Sequence, residues 1–268
     1  MKMPSYQASA VNQTLADELE RLRVLTPASA ARELAVLRAA GLEDGMSVLD
    51  AGGGPGFFAE YLLNAFPTLK VTCLDADPLL VEEARVRLAP YGGRAATVAS
   101  SVEDHHRPHA YDFCLSRYVF QHLRDPRLAL RALKPCLRPD GKLVIADVDD
   151  EAACLFSPEV DGLADAIRLF GRAQQARGGD RHVARKLPLL LKEAGYSFLS
   201  FECVPIQSEE CGRETILKLM SPALLTPLVK AGIAQPELQQ QIARSQQQWA
   251  ESANSFAVLF LFLVVASP

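Results

Sequence analysis

A buried strand that runs straight into a glycine-bent turn constrains this chain more than any other feature. Val48-Leu49-Asp50-Ala51 leads into Gly52-Gly53-Gly54-Pro55-Gly56-Phe57, where the pattern changes to helix. Glycines at 52, 54 and 56 remove every Cβ where the chain turns, so backbone amides entering the next helix can approach a polar ligand closely. Asp50 closes the strand, the place where open α/β sheets make ligand contacts. A dinucleotide fingerprint needs its third glycine at position 57, which is Phe57 here. The Lys followed by Ser or Thr of a phosphate-cradling loop is missing as well.

The flanking sequence repeats the strand-to-helix switch. Leu15, Leu19, Leu22 and Leu25 mark one helical face, and Thr26-Pro27 then caps and starts a second helix through Ala40, stopped by Gly41. Strands are expected over 47–50, 70–74, 95–99, 111–115 and 142–146, with helices over 56–66, 78–88 and up to Leu133. Such alternation predicts a parallel sheet with helices on both faces. Further helices follow over 158–177 and 184–194, then a strand over 196–205. The run 256–266 is continuously apolar, short of the ~20 residues a spanning helix needs, and suits a buried strand. Between these last strands, 207–254 reads as helices broken at Ser221-Pro222, Gly232 and Gln235-Pro236, more chain than a hairpin requires. Four segments result: N-terminal helices (1–40), a core (41–206), a helical insertion (207–254) and a final strand (255–268). The first and third are material for a cap over the ligand face or for a homodimer interface.

Composition narrows the partners. A net charge of −4 gives no basic footprint for nucleic acid. Six cysteines show no Cys-x-x-Cys spacing, and read as small buried hydrophobes in a reducing, cytoplasmic compartment. Asp17, Glu18 and Glu20 break any apolar N-terminal run, so neither a signal peptide nor a membrane anchor is expected. His105, His106 and His109 tempt a metal reading, but Pro108 breaks the helix that would align them. A solvated loop without metal is expected there.

The pattern Asp-x-Gly-x-Gly-x-Gly at 50–56 resembles the class I S-adenosylmethionine-dependent methyltransferases of the small-molecule type, firmly over 41–150. The resemblance implies a Rossmann-like, seven-stranded, mostly parallel sheet with an antiparallel last strand. It implies S-adenosyl-L-methionine as cofactor and S-adenosyl-L-homocysteine as product. Val71-Thr72-Cys73-Leu74-Asp75 ends a second strand in an acid ~20 residues past the glycines, where a carboxylate accepts both ribose hydroxyls. Asp75 and Ala76 are thereby assigned to the cofactor, and Asp77 to the N-cap before Pro78. In Ser100-Ser101-Val102-Glu103-Asp104 the family's usual Asp is replaced by Ser101. Ser101 and the Val102 amide serve the adenine, or Glu103 or Asp104 substitutes. Tyr111 to Arg117 resembles the fourth strand, whose end lies under the methionyl part and brings in Ser116 and Arg117. Leu133 to Gly141 resembles the turn before the fifth strand, with Asp140 in a glycine's place. Tyr6 resembles a lid residue that closes over the cofactor, and a looser likeness puts Asp180 and His182 near the pocket.

Methyl transfer needs a nucleophile held in line at ~3–3.5 Å, in a dry site. A hydroxyl acceptor also benefits from a base. His122 is the first choice because it titrates near neutrality, with Asp147, Asp149 and Asp150 behind it. The leading reading is therefore transfer to a small organic acceptor, with a lean to oxygen. The alternative is a cofactor-binding protein of the same fold that transfers no methyl group, either cyclase-like or regulatory.

Overall fold

The computed structural model describes residues 14–268, so Tyr6 lies outside the described residues. In chain order the elements begin with α1 (Leu15–Ala39), β1 (Ser47–Ala51), α2 (Phe57–Ala65), β2 (Lys70–Asp75), α3 (Pro78–Leu88) and β3 (Ala95–Ala99). Next come β4 (Tyr111–Arg117), α4 (Pro126–Leu133), β5 (Leu137–Asp147), β6 (Cys154–Ser157), α5 (Leu163–Ala176), α6 (Val183–Glu193) and β7 (Ser197–Gln207). The chain closes with α7 (Ser208–Cys211), α8 (Arg213–Leu219), α9 (Thr226–Lys230), α10 (Pro236–Glu251) and β8 (Phe256–Ser267).

The strands form one eight-stranded sheet in the order β3-β2-β1-β4-β5-β8, with β7 along the far edge of β8. β3 through β5 are parallel, and β8 runs antiparallel to β5, β6 and β7. The sequence leads to seven strands, and the eighth is β6. It pairs Cys154 to Ser157 with Leu259 to Phe256, on the edge of β8 that β5 leaves uncovered beyond Phe262. Strand order reverses between β1 and β4, which opens a crevice at their carboxyl ends.

Helices cover both faces, as the alternation implies. One core layer joins Leu34, Leu37, Phe58, Leu62 and Ala84 to the sheet, and the other joins Leu130, Leu133, Leu187 and Leu191. A third apolar cluster gathers Leu25 of α1, Leu163 of α5 and the insertion's Ile216, Leu228, Ile242 and Trp249. Burying one such side chain contributes roughly 1.5–3 kcal/mol, so this shared core ties the insertion to α1 and α5.

The N-terminal segment departs from expectation, because Thr26-Pro27 does not divide it. α1 is one 25-residue helix with Pro27 inside and Thr14 as its N-cap, accepting from the Asp17 N–H. Pro27 has no N–H to donate one turn back, and the Thr26 hydroxyl instead donates to the Leu22 carbonyl at 3.4 Å. The helix expected from Pro158 starts only at Leu163, after Gly162. His105 is also not on a solvated loop: it is buried, with Nε2 3.2 Å from the Tyr111 hydroxyl. All six cysteines are free thiols, three of them buried. Among the described residues no helix is long and apolar enough to cross a membrane, and no group of three or more His, Cys, Asp or Glu side chains could hold a metal ion.

Candidate active site

One cavity of about 1150 Å³ opens over the carboxyl ends of β1, β2 and β4 and continues beneath α1, α5 and the insertion helices. A single ligand site usually occupies roughly 300–1,000 Å³, so the volume suits a cofactor and an acceptor together. Asp50, Gly52, Asp75, Ala76, Ser101, Val102, Arg117 and His122 all line it, along with Gly53 and Gly54.

The glycine turn works differently from the amide cradle its sequence suggests. Gly52 and Gly53 both donate to the Leu74 carbonyl, at 2.7 and 2.9 Å, and Gly56 donates to Gly53. Gly54 donates to Asp75 Oδ2 at 2.9 Å, while the Asp77 N–H donates to Asp75 Oδ1 at 2.9 Å. The amides of the turn are thus used to hold β1 against β2 and to orient a carboxylate. Gly53 leaves room for another: a Cβ there would lie 2.6 Å from Asp50 Oδ2 and 2.7 Å from Cys73 Sγ. At Gly52, φ is +79°, and a Cβ would run into Val119. Gly56 does not line the cavity; its missing side chain lets α2 approach Ala84 of α3.

What this end of the cavity offers is therefore acceptor oxygen. Asp50 Oδ2 is buried without a hydrogen-bond partner. Burial, opposed by the Arg117 charge, raises the Asp50 carboxyl to about 6. Burial likewise raises Asp75, against the amides that hold it. Ser101 caps the short Val102–Asp104 turn, accepting from the Asp104 N–H and donating to Asp104 Oδ2 at 2.7 Å. Carboxylates gathered at this end disfavour phosphate and suit a ligand that carries hydroxyl, amino and cationic groups. S-adenosylmethionine, with two ribose hydroxyls, an adenine amine, an ammonium and a sulfonium, meets that description.

Two expected residues are engaged elsewhere. Ser116 is fully buried outside the cavity, and its hydroxyl donates to the Ala51 carbonyl at 3.0 Å, stitching β4 to β1. Arg117 lines the cavity, but its Nε and Nη2 meet the Glu33 carboxylate of α1 at 2.6 and 2.7 Å. Its guanidinium lies 3.9 Å from the centre of the Phe58 ring.

Away from the glycine turn the lining is mostly apolar and includes Arg21, Arg124, Arg177 and Arg181 together with Asp125. Asp147 is not a cavity residue: it is fully buried, and its carboxylate accepts from the Gln121 and Val148 N–H groups at 3.1 and 2.9 Å. Burial lifts it to about 7. Asp149 is held by Arg185, and Asp150 by Arg181 at 2.7–2.9 Å. Asp180 pairs with Lys186 and accepts from the His182 N–H at 2.9 Å; neither Asp180 nor His182 reaches the cavity.

His122 does line the cavity, with Gln174 Nε2 2.7 Å from its Nδ1. The hydrogen-bond network fixes that amide's orientation. Arg177 donates to Gln174 Oε1 at 3.0 Å, and Gln174 Nε2 also donates to the Gln121 carbonyl at 3.2 Å. The amide nitrogen therefore faces Nδ1, Nδ1 accepts, and the neutral ring carries its proton on Nε2. Burial, with the Arg181, Arg177 and Arg21 charges, lowers its pKa to about 3. His122 is thus a neutral donor at neutral pH, contrary to the general base expected from sequence. Gln174, Arg177 and Arg181 escaped the sequence reading. Gly178-Gly179 next to them was its one signal: a Cβ on Gly179 would collide with the Gln121 carbonyl and Gln174.

Comparison with known proteins agrees with this geometry. A family model described as a methyltransferase domain matches residues 23–201. The malonyl-[acyl-carrier protein] O-methyltransferase of Paenibacillus sp. (strain JDR-2) is 27% identical over 154 residues, 56% of this chain and 55% of that protein. The ubiquinone biosynthesis O-methyltransferase of Xanthomonas euvesicatoria pv. vesicatoria (strain 85-10) is 31% identical over 128 residues, 47% of this chain and 52% of that one. The chain spans about half the length of these curated relatives. In fold it is similar to Haemonchus contortus phosphoethanolamine N-methyltransferase 2, solved with phosphomonomethylethanolamine and S-adenosylhomocysteine. That likeness has a TM-score of 0.57 at 16% identity, over 88% of this chain and 52% of the other. The chain belongs to the methyltransferase-domain family, in its class I S-adenosylmethionine-dependent form. Its cofactor is S-adenosylmethionine.

Proposed function

We propose that the protein transfers the methyl group of S-adenosylmethionine to an oxygen of a small organic acceptor. The observation that carries this reading is the polarity of this cavity. Five of its lining carboxylates, Asp50, Asp75, Asp77, Glu103 and Asp104, belong to or directly follow the first three strands of the sheet, while the rest of the lining is mostly apolar side chains and arginines.

Asp75, already oriented by two amides, accepts the ribose hydroxyls, and Ala76 lies beside it. The unsatisfied Asp50 Oδ2 takes a donor from the methionyl end. Ser101, the Val102 backbone and Asp104 face the adenine. When bound, the cofactor supplies a methyl group already activated by the sulfonium, so the protein's task is alignment and exclusion of water. α1 and the 208–251 helices serve as the cap, with Leu22, Leu25, Leu225 and Leu228 keeping the acceptor side dry. His122, locked by Gln174, donates toward the acceptor instead of removing its proton. A net charge of −4 and six free thiols support a small-molecule acceptor in a reducing, cytoplasmic setting.

The test is incubation with cofactor labelled in its methyl group and a panel of phenols, alcohols, amines and carboxylates. S-adenosylhomocysteine formed together with a labelled acceptor is the expected result. Tight cofactor binding without turnover on any member would transfer the argument to a non-methylating role.

A further inference from the structure

Away from the glycine turn the cavity has a direction, and α5 sets it. Leu163, Ala166, Ile167, Phe170 and Gln174 line the cavity at the spacing of one helical face. The first four are apolar, and polarity enters at the C-terminal end of the face, where Gln174 meets His122 and Arg177. His122 follows β4 closely, so the polar end of α5 stands at the carboxyl end of that strand and the Leu163 end points away from it. Two rulers give the length of the apolar stretch. At 1.5 Å of rise per residue, Leu163 and Gln174 are ~16 Å apart along the helix. Across the sheet the lining passes from Arg117 of β4 to Ile206 of β7, three strand spacings or ~14 Å. Facing α5, the walls are Leu25 of α1, Leu225, Leu228 and Ile242 of the insertion and Leu259 of β8, which share one apolar cluster with Leu163 and Ala166.

From the one-directional polarity of α5 and the apolar walls that face it, and resting on the methyltransferase reading above, we infer that the acceptor is an elongated lipophilic molecule. Its reactive end sits at the carboxyl end of β4, next to the methyl donor. Its apolar body runs along α5 past Phe170 and Ile167 toward Leu163, with α1 and the insertion helices closing over it. A slot walled by aliphatic side chains on both sides gains affinity from each methylene it removes from water. Ile167 stands midway along the lining face of α5 and is a specificity-determining residue: a bulkier side chain there closes the slot and shortens the body it can hold.

Calorimetry on the protein saturated with S-adenosylhomocysteine tests this with 4-propylphenol, 4-hexylphenol and 4-nonylphenol, which share a head and differ in length. Affinity at one site per chain should rise about three- to fourfold for each added methylene between propyl and hexyl, the gain for full burial, and should rise further to nonyl. Ile167→Trp should leave 4-propylphenol binding unchanged and abolish the gain beyond it, whereas Ile167→Gln should reduce the gain per methylene. Unchanged affinity for S-adenosylhomocysteine shows that a variant is folded, and if the Trp variant loses it the Gln variant carries the comparison. Affinity that does not grow with chain length, no binding of 4-hexylphenol, or a gain that survives in the folded variants overturns the inference. Labelled methyl transfer to catechol but to none of the long-chain phenols would also overturn it while leaving the methyltransferase reading intact. Failure of the wild-type protein to bind S-adenosylhomocysteine would overturn both.

Discussion

Glu33→Ala tests how α1 is fixed to the catalytic core. The Glu33 carboxylate is 1% exposed and its partner Arg117 11% exposed, and two contacts of 2.6 and 2.7 Å join them. The Ser29 hydroxyl donates to the same carboxylate at 2.6 Å. In so buried a pair, attraction only offsets desolvation, but removal of one partner strands the other charge at about 3–5 kcal/mol. Arg117 would then have Asp50 and the Phe58 face as its remaining support, so the lower part of that range is expected, ~3 kcal/mol. For a domain of this size that lowers the melting temperature by roughly 6–12 °C. Urea titration monitored by circular dichroism reads the loss directly. The double variant Glu33→Met/Arg117→Met should recover most of it, since no charge remains buried. A loss below about 1 kcal/mol for Glu33→Ala, or a double variant as unstable as the sum of the singles, would refute the reasoning.

Three further outcomes follow from the cofactor end. Asp75→Ala should weaken S-adenosylhomocysteine binding by ~1–3 kcal/mol in calorimetry, because ribose hydroxyls lose their acceptor; unchanged affinity would remove Asp75 from the site. Gly53→Ala should destabilise the protein by ~1–3 kcal/mol and impair cofactor binding, since its Cβ meets Asp50 and Cys73; wild-type melting and affinity would show that the turn yields freely. Asp50 has a folded-state pKa near 6 against an ordinary value of 3.8. The folded protein therefore holds the proton more tightly, and this contribution to stability is full below pH 4 and lost as pH rises through 6, by at most about 3 kcal/mol. Asp50→Asn should accordingly gain stability relative to wild type between pH 4 and 8 in the apo protein, and a flat difference would contradict the burial argument.

That the residues proposed for the cofactor line one cavity was legible because their placement is local. The glycine turn, Asp75 and the Ser101–Asp104 stretch each end a strand, and alternation puts all strand ends at one edge of the sheet. What escaped depends on distant partners. Glu33 lies 84 residues from Arg117, and Gln174 lies 52 residues from His122, so neither the ion pair nor the tautomer appears in any short motif. Ser116 and Gly56 sit beside cavity residues in sequence, yet the alternation of a strand and the packing of α2 on α3 turn them away. β6 is four residues long, too short for a periodic signal, and exists because β8 outruns β5. Pro27 misled because burial of Leu25, Ser29, Ala30 and Leu34 around it outweighs one lost backbone bond.

The helical insertion leaves the sheet after Gln207 and returns before Val258, and these two residues are partners on a single rung of the β7–β8 ladder. The segment is therefore a long loop clamped at its base, and its helices pack against α1, α5 and the adjoining ends of β7 and β8. Doubling the length of such a loop costs only about 0.6 kcal/mol in closure entropy. A change of length at the exposed turns between these helices therefore costs the sheet little, provided that the residues packed on α1 and α5 are kept. A chimera that exchanges residues 208–251 should swap acceptor preference as a cassette and keep the parent's affinity for S-adenosylhomocysteine.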